Sequence, residues 1–328
     1  MTVLENGRKR ITHEKADILV KTAWDLFINV DGANCRKICP LPHSIMDNIL
    51  LNRPLVEKYD NYSIQDRLNE INDQLTVEQK ALFIPIMLNI AGASLDKTSL
   101  FDVIHWHALC SYNAENFYDF CLRFKLKTGQ TGLASKIFQE AVSYGLQYSF
   151  STPITEVNTT DHISKVFLEN GSVLKARRVI CTIPLNVLHT IKFKPPLDAL
   201  KQEAIDIGHI TYQAKLHVEA KGSEKAYTKS SSPDSPLCSM YADQVLPNGN
   251  SHLCFFGRGE KPGFNIEKDI EESQKAVLAL DEIEIQRFVF HDWNGDPFSY
   301  GGAGPCWRPG YMTKFVYTFT LSTLSNSA

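Results

Sequence analysis

The sequence predicts a mixed α/β fold, and three observations support this prediction. Residues 12–125 carry apolar side chains at helical spacing, residues 153–182 alternate in the manner of strands around an Asn-Gly turn, and residues 213–293 contain further strand-like runs with one helix among them. The chain has 328 residues, more than the ~100–200 residues of a typical single domain. We therefore expect two cores, or one core built from discontinuous segments.

The first third of the chain is predicted to be helical. Apolar residues recur every three or four positions from Ala16 to Phe27, which is typical of an amphipathic helix. Ser63 is placed to begin a second helix, and Thr76 and Gln79 have the spacing of a capping box that opens a third. The helices predicted after the first cover residues 64–72, 76–88, 100–113 and 116–125.

The middle of the chain is predicted to form a β-meander. Alternating runs flank Asn170-Gly171, a pair that favours a two-residue type I′ turn because both of its central positions need positive φ. The apolar run 178–182, closed by Pro184, predicts a buried final strand. The later strands are predicted at residues 213–219, 251–256 and 286–293, with a helix at 267–280.

Composition and charge exclude several classes of partner. The formal net charge of −3 is too balanced for a protein that mainly binds nucleic acid or an anionic membrane. The longest apolar run, residues 81–90, contains Pro85 and is shorter than the ~20 residues of a membrane-spanning helix. The first fifteen residues are polar and do not resemble a signal peptide. We therefore expect a soluble intracellular protein whose partner is a small molecule or another protein.

The eight cysteines are scattered singly among apolar neighbours, which predicts buried thiols in a reducing compartment rather than a disulfide framework. Ile180-Cys181-Thr182 is one such context. Cys35 and Cys39 with His43 resemble half of a zinc site, but no second Cys/His pair follows at a usable spacing. The sequence therefore predicts no metal site.

Three groups of residues together resemble the flavin-containing amine oxidases, from about Thr12 to Phe315. The central motif is specific to that family, a second group is similar to fungal-type monoamine oxidases, and a third resembles the stretch that returns toward the flavin ring. The central motif comprises residues 176–188, 191–197 and 201–205; the second group comprises residues 27–34, 105–107 and 125–130; the third comprises residues 293–298, 301–303 and 308–310.

This resemblance implies a partial glutathione-reductase-like FAD domain interleaved with a substrate domain of helices and a mixed sheet. On that division, residues 1–127 are the helical part of the substrate domain, and residues 128–208 are an FAD-domain segment with the β-meander. Residues 209–298 are the sheet of the substrate domain, and residues 299–328 begin the last FAD segment and a divergent tail. The family's Gly-x-Gly-x-x-Gly unit is absent from this sequence, so the chain is expected to be truncated at both ends, beginning after the pyrophosphate site and ending before the substrate cage is complete.

The resemblance also implies an activity, the FAD-dependent oxidative deamination of a primary amine to an aldehyde, ammonia and hydrogen peroxide, with O₂ as acceptor. Lys215 lies in a predicted strand, where a lysine is ordinarily a solvent-facing charge. Its position resembles that of the family lysine that holds a water against flavin N5, which makes it the candidate catalytic residue. The sequence leaves two questions open: whether the compartment is the cytoplasm or the peroxisome, and whether the chain forms a homodimer.

Further site residues are implied only by position. Val157 matches the residue whose backbone holds the adenine of FAD, and Trp293 is placed near the flavin, with ordinary packing as the equal alternative. Ala303 stands where animal monoamine oxidases carry the cysteine that bonds the flavin, so FAD is expected to bind non-covalently. The residues that resemble the walls of the amine channel are Ile86, Asn89, Tyr118 and Leu122. The alternative hypothesis is a truncated, flavin-free and catalytically inactive fragment or pseudoenzyme.

Overall fold

A computed structural model describes residues 2–4, 8–41, 45–120, 124–160, 162–222, 227–231, 235–257, 268, 270–302 and 306–315 of the chain. The helices are α1 (His13–Ile28), α2 (Ile45–Asp60), α3 (Ile64–Glu70), α4 (Val77–Ala91), α5 (Leu100–Leu109), α6 (Ala114–Tyr118), α7 (Gly129–Ser143), α8 (Ala199–Ile207), α9 (Ile270–Leu280) and α10 (Tyr311–Phe315). The strands are β1 (Thr2–Leu4), β2 (Arg8–Arg10), β3 (Ile154–Thr159), β4 (Ser164–Leu168), β5 (Val173–Ala176), β6 (Lys192–Lys194), β7 (Lys215–Ala220), β8 (Thr228–Ser230), β9 (Leu237–Val245), β10 (Ser251–Gly257) and β11 (Ile285–Val289). The mixed α/β class is therefore confirmed.

The predicted helix starts in the first third are confirmed by their caps. The Thr12 side chain accepts a hydrogen bond from the backbone of Lys15 at the start of α1. Ser63 opens α3 with a reciprocal capping box, and Thr76 does the same with Gln79 at α4. These caps satisfy backbone N–H groups that the first helical turn leaves without a partner.

Several helix boundaries differ from the sequence prediction. Helix α5 ends at Leu109 rather than at residue 113, and α6 ends at Tyr118. The predicted helix 116–125 includes residues 121–123, which lie outside the described residues. Helices α2, α7 and α8 are not predicted, and α2 is kinked at Asn52, two residues before Pro54. Proline lacks the N–H that an uninterrupted helix requires, so its presence argues against a continuous helix in a sequence analysis.

The β-meander is confirmed, but its turn differs from the prediction. The four-stranded sheet has the order β5-β4-β3-β6, with β3 to β5 antiparallel and β6 parallel to β3. The N–H of Gly171 donates to Leu168 and that of Leu168 donates to Ser172, so the loop covers residues 169–172 rather than two residues. Gly171 takes the positive φ of 83°, and glycine adopts that conformation without a steric penalty.

The predicted buried strand at residues 178–182 is wrong. This segment is not part of any strand among the described residues, and Ile180 is 89% exposed. Cys181 is exposed as well, contrary to its expected burial. An apolar run forms a strand only where a neighbouring strand accepts its backbone hydrogen bonds, and the described sheets do not extend to this segment.

The larger sheet is mixed and has two different faces. Its seven strands have the order β11-β7-β10-β9-β8-β1-β2, and β1 pairs with β8 in parallel while the other pairs are antiparallel. Leu216 and Val218 pack with Val277 of α9 on one face. Successive side chains of a strand point to opposite faces, so Lys215 and His217 lie on the other.

The helices of the first third pack on this sheet. Their core contains the fully buried Trp24, Phe27, Phe83 and Phe101, and it includes Cys238 of β9. Burying each aromatic side chain stabilises the fold by about 1.5–3 kcal/mol. Among the described residues, no helix has both the length and the apolar character needed to cross a membrane.

Candidate functional site

Lys215 is the first residue of β7 and is half-buried. Its Nζ atom lies 5.8 Å from the centroid of the Phe256 ring, the residue directly opposite it on β10. Among the described residues the Lys215 ammonium has no ion-pair partner. A half-buried cation without a carboxylate partner is able to hold a polar ligand or a water molecule on that face of the sheet.

The entry to β7 is held by two other segments. The carbonyl oxygen of Thr211 accepts a hydrogen bond of 2.9 Å from the Gly302 N–H, and its hydroxyl oxygen accepts one of 3.0 Å from the Cys306 N–H. The N–H of Tyr212 donates to the carbonyl of Gly92, at the end of α4, at 2.9 Å. The position of Lys215 is thus determined by the end of α4 and by the segment after residue 300.

The Gly301-Gly302 pair is required by close packing on this entry segment. A Cβ atom at Gly302 would lie 2.2 Å from the carbonyl oxygen of Gln213, and one at Gly301 would lie 2.6 Å from the His209 ring. At Gly302 the nearest atoms belong to the Gln213 backbone, so no other residue type fits there without moving the backbone, whereas at Gly301 the His209 side chain would have to move. The family resemblance associates these glycines with the flavin, and only the structure reveals their contact with the segment that leads into the Lys215 strand.

Asn186 is a further residue that the sequence analysis missed. Its Oδ1 accepts a hydrogen bond of 2.8 Å from the His209 N–H, and its Nδ2 donates one of 2.8 Å to the Tyr300 carbonyl. It therefore joins the central motif to both segments around β7. The sequence does contain a signal for Asn186, since it is a single amide side chain in an otherwise apolar run. Such a group is buried only when it has hydrogen-bond partners, so its presence there indicates a bonded position.

Of the predicted wall residues, Asn89 is on the Lys215 face of the sheet. Its Nδ2 donates to Ser239 Oγ at 2.5 Å, and its Oδ1 accepts from Cys238 Sγ at 2.8 Å. Ser239 is opposite Phe256, which is opposite Lys215, and residues opposite one another share a face. With strands about 4.8 Å apart, Asn89 is anchored roughly two strand spacings from Lys215.

The other residues predicted as substrate walls or cofactor contacts lie in different parts of the chain, and some are outside the described residues. Ile86 packs in the core between α1 and α4. The Tyr118 side chain, Leu122 and Ala303 lie outside the described residues. Val157 and Trp293, by contrast, are both described.

Val157 lies in the four-stranded sheet, flanked by Val166 of β4 and Phe193 of β6. It therefore presents a face of the sheet rather than an open edge. Trp293 is 54% exposed, and its ring centroid is 4.3 Å from that of His291. The structure thus brings Lys215 and Asn89 together and places Val157 in the other sheet.

The described surface also contains a cleft of about 800 Å³ near the end of α1. Lys21, Arg36, Tyr112 and Glu115 are among its lining residues, and none of the predicted site residues is. Most of the residues that line it are polar or charged, whereas small-molecule sites are lined mainly by apolar residues. We therefore assign the candidate site to the Lys215 face of the sheet.

The chain belongs to the flavin-containing amine oxidoreductase family, because residues 54–316 match the sequence model of that family. It is 26% identical over 302 residues to pseudooxynicotine dehydrogenase of a Pseudomonas species, covering 90% of this chain and 58% of that protein. It is also 26% identical to nicotine dehydrogenase of Pseudomonas putida, covering 89% of this chain and 55% of that protein. This chain thus spans a little over half the length of these relatives.

Solved structures share the fold at low sequence identity. Putrescine oxidase bound to putrescine superposes with a TM-score of 0.70 at 15% identity, covering 97% of this chain and 72% of that one. Cyclohexylamine oxidase from Brevibacterium oxydans gives a TM-score of 0.64 at 12% identity, covering 96% of this chain and 69% of that one. Such a match defines the fold, and function has to be argued from the site.

The residues of the site fit the flavin that the family contains. An unpaired ammonium on a half-buried face suits a ligand with electronegative ring atoms. The segment from residue 128 to residue 208 exposes large apolar side chains, including Ile137 at 58% and Ile180 at 89%. Exposed apolar residues in such number are typical of surfaces that bind a ligand or another part of a protein.

Proposed function

We propose that this chain carries the amine-binding part of an FAD-dependent amine oxidase. The reaction is R-CH₂-NH₃⁺ + O₂ + H₂O → R-CHO + NH₄⁺ + H₂O₂. The observation that carries the proposal is the half-buried Lys215 ammonium, unpaired among the described residues, within a chain of the flavin-containing amine oxidoreductase family. Bound FAD would supply the two-electron oxidation of the amine carbon, with O₂ as the final electron acceptor.

Lys215 is assigned the role of holding water and moving a proton. Its ammonium donates a hydrogen bond to a water molecule and orients that water for the reaction. Leu216, on the other face, is buried in the sheet core and fixes the strand. The lysine therefore works from a rigid support, which catalytic geometry requires.

Amine binding is assigned to the surface between α4 and the Lys215 face. Asn89, held by Ser239, offers an amide oxygen to an ammonium, and the Phe256 ring covers the apolar part of the substrate. Ile86, Tyr118 and Leu122 are proposed as further walls. The bound substrate is a primary amine, the class that this reaction converts to an aldehyde.

FAD is proposed to bind without a covalent link. Ala303 has no thiol, and burial raises the pKa of Cys306 to about 12, so that thiol is protonated at neutral pH. Val157 and Trp293 are proposed as cofactor contacts. The proposed FAD-domain segments are 128–208 and 299–328, and the substrate domain is 1–127 with 209–298.

The first experiment measures FAD binding and amine-dependent peroxide formation by the full chain. Putrescine, cyclohexylamine and nicotine are offered in turn, and peroxide is detected with a coupled peroxidase. We expect FAD to be retained through gel filtration, released by acid denaturation, and reduced by a primary amine. A chain that remains colourless after incubation with FAD would support the flavin-free alternative.

The second experiment tests Lys215 directly. Lys215→Met is expected to slow amine-dependent reduction or reoxidation of the flavin by about 10²–10⁴-fold, the range for a group that moves a proton. The matched control is Lys221→Met, which removes an exposed lysine just beyond the same strand. Equal rates for the Lys215 variant and the control would refute the role of Lys215 while leaving FAD binding as a separate result.

A further inference from the structure

Four polar side chains form a connected chain on the same face of the sheet as Lys215. Cys254 Sγ lies 3.3 Å from His217 Nδ1, and that nitrogen lies 2.9 Å from His252 Nε2. The other ring nitrogen of His252, Nδ1, lies 2.9 Å from Asp243 Oδ2. The proposed oxidase reaction does not use any of these four groups.

The strand register explains why they meet. Cys254 of β10 is directly opposite His217 of β7, and His252 lies two residues before Cys254 and so shares its face. The pairing of β9 with β10 is irregular between His252 and Leu253, which leaves Asp243 without an opposite residue. A β-bulge of this kind redirects a side chain, here toward the His252 ring.

Burial and the nearby Lys215 ammonium lower the pKa of both imidazole rings. Burial, with smaller contributions from the Lys215 ammonium and from His252, lowers the pKa of His217 to about 4. Burial also lowers the pKa of His252, with smaller contributions from Lys125 and Lys215. Lys125 forms an ion pair with Asp243, which offsets one of the two nearby positive charges.

We propose that His217 Nδ1, His252 Nε2 and Cys254 Sγ bind a Zn²⁺ ion. The three ligand atoms lie within 4.8 Å of one another. In a tetrahedral zinc site the N···N and N···S distances are about 3.3 and 3.6 Å, so a shift of a few tenths of an ångström admits the ion. Binding forms a Zn–S bond and releases the Cys254 proton to solvent.

The groups around the three ligands suit this ion. Asp243 accepts a hydrogen bond from His252 Nδ1, which leaves Nε2 free for the metal, the arrangement usual behind zinc-bound histidines. Tyr241 of β9 lies directly opposite Cys254. Imidazole and thiolate ligands select Zn²⁺ over Mg²⁺ and Ca²⁺, which prefer oxygen.

Cobalt is the probe, because Co²⁺ reports its own ligands. Titrating the full chain with Co²⁺ is expected to give one site per chain, visible d–d bands of a four-coordinate ion and a near-ultraviolet thiolate-to-cobalt band. Zn²⁺ is expected to abolish these bands at one equivalent and to raise the Tm. A chain that shows no stoichiometric Co²⁺ or Zn²⁺ binding overturns the proposal.

Variants identify the ligands. Cys254→Ser is expected to abolish the thiolate band, and His252→Gln to weaken Co²⁺ binding by more than 100-fold. Asp243→Asn is expected to weaken it by about 10–100-fold, the range for a residue that orients a metal ligand. The control is Cys181→Ser, which removes an exposed thiol remote in sequence from the site and is expected to leave every band unchanged.

The control also separates specific from adventitious binding. A thiolate band that survives in Cys254→Ser and disappears in Cys181→Ser contradicts the proposal. If circular dichroism shows that Cys254→Ser does not fold, the His252→Gln variant tests the proposal instead, because His252 is more exposed than Cys254. Retention of full Co²⁺ affinity in that variant is then the overturning result. All of these measurements are independent of FAD and amine turnover.

Discussion

Helices α5 and α7 are both amphipathic in sequence, yet their environments are opposite. Six residues of α5 are buried, whereas α7 has no buried residue. Ile104 of α5 is 0% exposed and Ile137 of α7 is 58% exposed. The contrast shows that an apolar stripe makes a helix able to pack, while neighbouring segments decide whether it does. Most helix stability comes from that packing, so the two regions should respond differently to the same substitution.

The largest difference is expected when the same isoleucine-to-alanine change is made in both helices. Ile104→Ala should lower the free energy of unfolding by about 2–5 kcal/mol, because it leaves a cavity in the core. Ile137→Ala should change it by less than about 0.5 kcal/mol, as is usual at exposed sites. Urea denaturation at constant m-value measures both, and equal losses would mean that α7 is covered in solution.

A second difference concerns the pH dependence of the α5 region. Asp102 accepts a hydrogen bond of 2.7 Å from the Trp307 N–H, and burial raises the pKa of its carboxyl to about 8. The native state therefore holds a proton that the unfolded state loses above about pH 4. The resulting stabilisation is fully present below pH 4 and is lost as the pH rises toward 8.

Asp102→Asn should remove this dependence, because an amide accepts the same hydrogen bond and does not ionise. As the pH rises from 5 to 8, the free energy of unfolding of the variant should increase by on the order of 2–4 kcal/mol relative to that of the native chain. The control is Asp198→Asn at the start of α8, where the Lys201 N–H lowers the pKa of an exposed carboxyl. Asp198→Asn should show the same change in unfolding free energy between pH 5 and 8 as the native chain. If Asp102→Asn also showed the native change, the pH dependence would not come from Asp102.

The smallest difference concerns the helix caps. Thr76 accepts a hydrogen bond from the Gln79 N–H at the start of α4, whereas Thr128, before α7, makes no side-chain capping bond. Thr76→Ala should cost about 1 kcal/mol of unfolding free energy and Thr128→Ala close to zero. Thermal unfolding measures both variants. A comparable loss at Thr128 would reveal a cap that forms only in solution.

Much of the fold could be predicted from the sequence because its signals are local. The caps at Ser63 and Thr76 and the strand at Lys215 depend on residues within a few positions of one another, and all three are confirmed. The strand predicted at residues 178–182 is wrong because a strand depends on a partner, which the local pattern does not reveal. The unpredicted α7 begins with Gly129 and contains Gly132, both poor helix formers.

The candidate site was only partly predictable for the same reason. Lys215 and Asn89 came from the resemblance, and their roles stay predictions. Asn186 and the packing of Gly302 on Gln213 join segments about 90 or more residues apart. From ligand spacing along the chain, the sequence predicts no metal site, whereas the zinc site that we propose depends on a contact between strands. His217 and Cys254 are 37 positions apart and adjacent only across two strands.

The sequence by itself determined the family, the mixed α/β class and the helix caps, since each depends on a motif or on contacts within one turn. Only the tertiary structure decided which apolar residues are buried, which segments support Lys215 and which polar groups lie within bonding distance. Burial and hydrogen bonding require a second surface, and its position depends on the path of the whole chain. Ile104 and Ile137 are chemically identical side chains, and they differ only in what the rest of the molecule places against them.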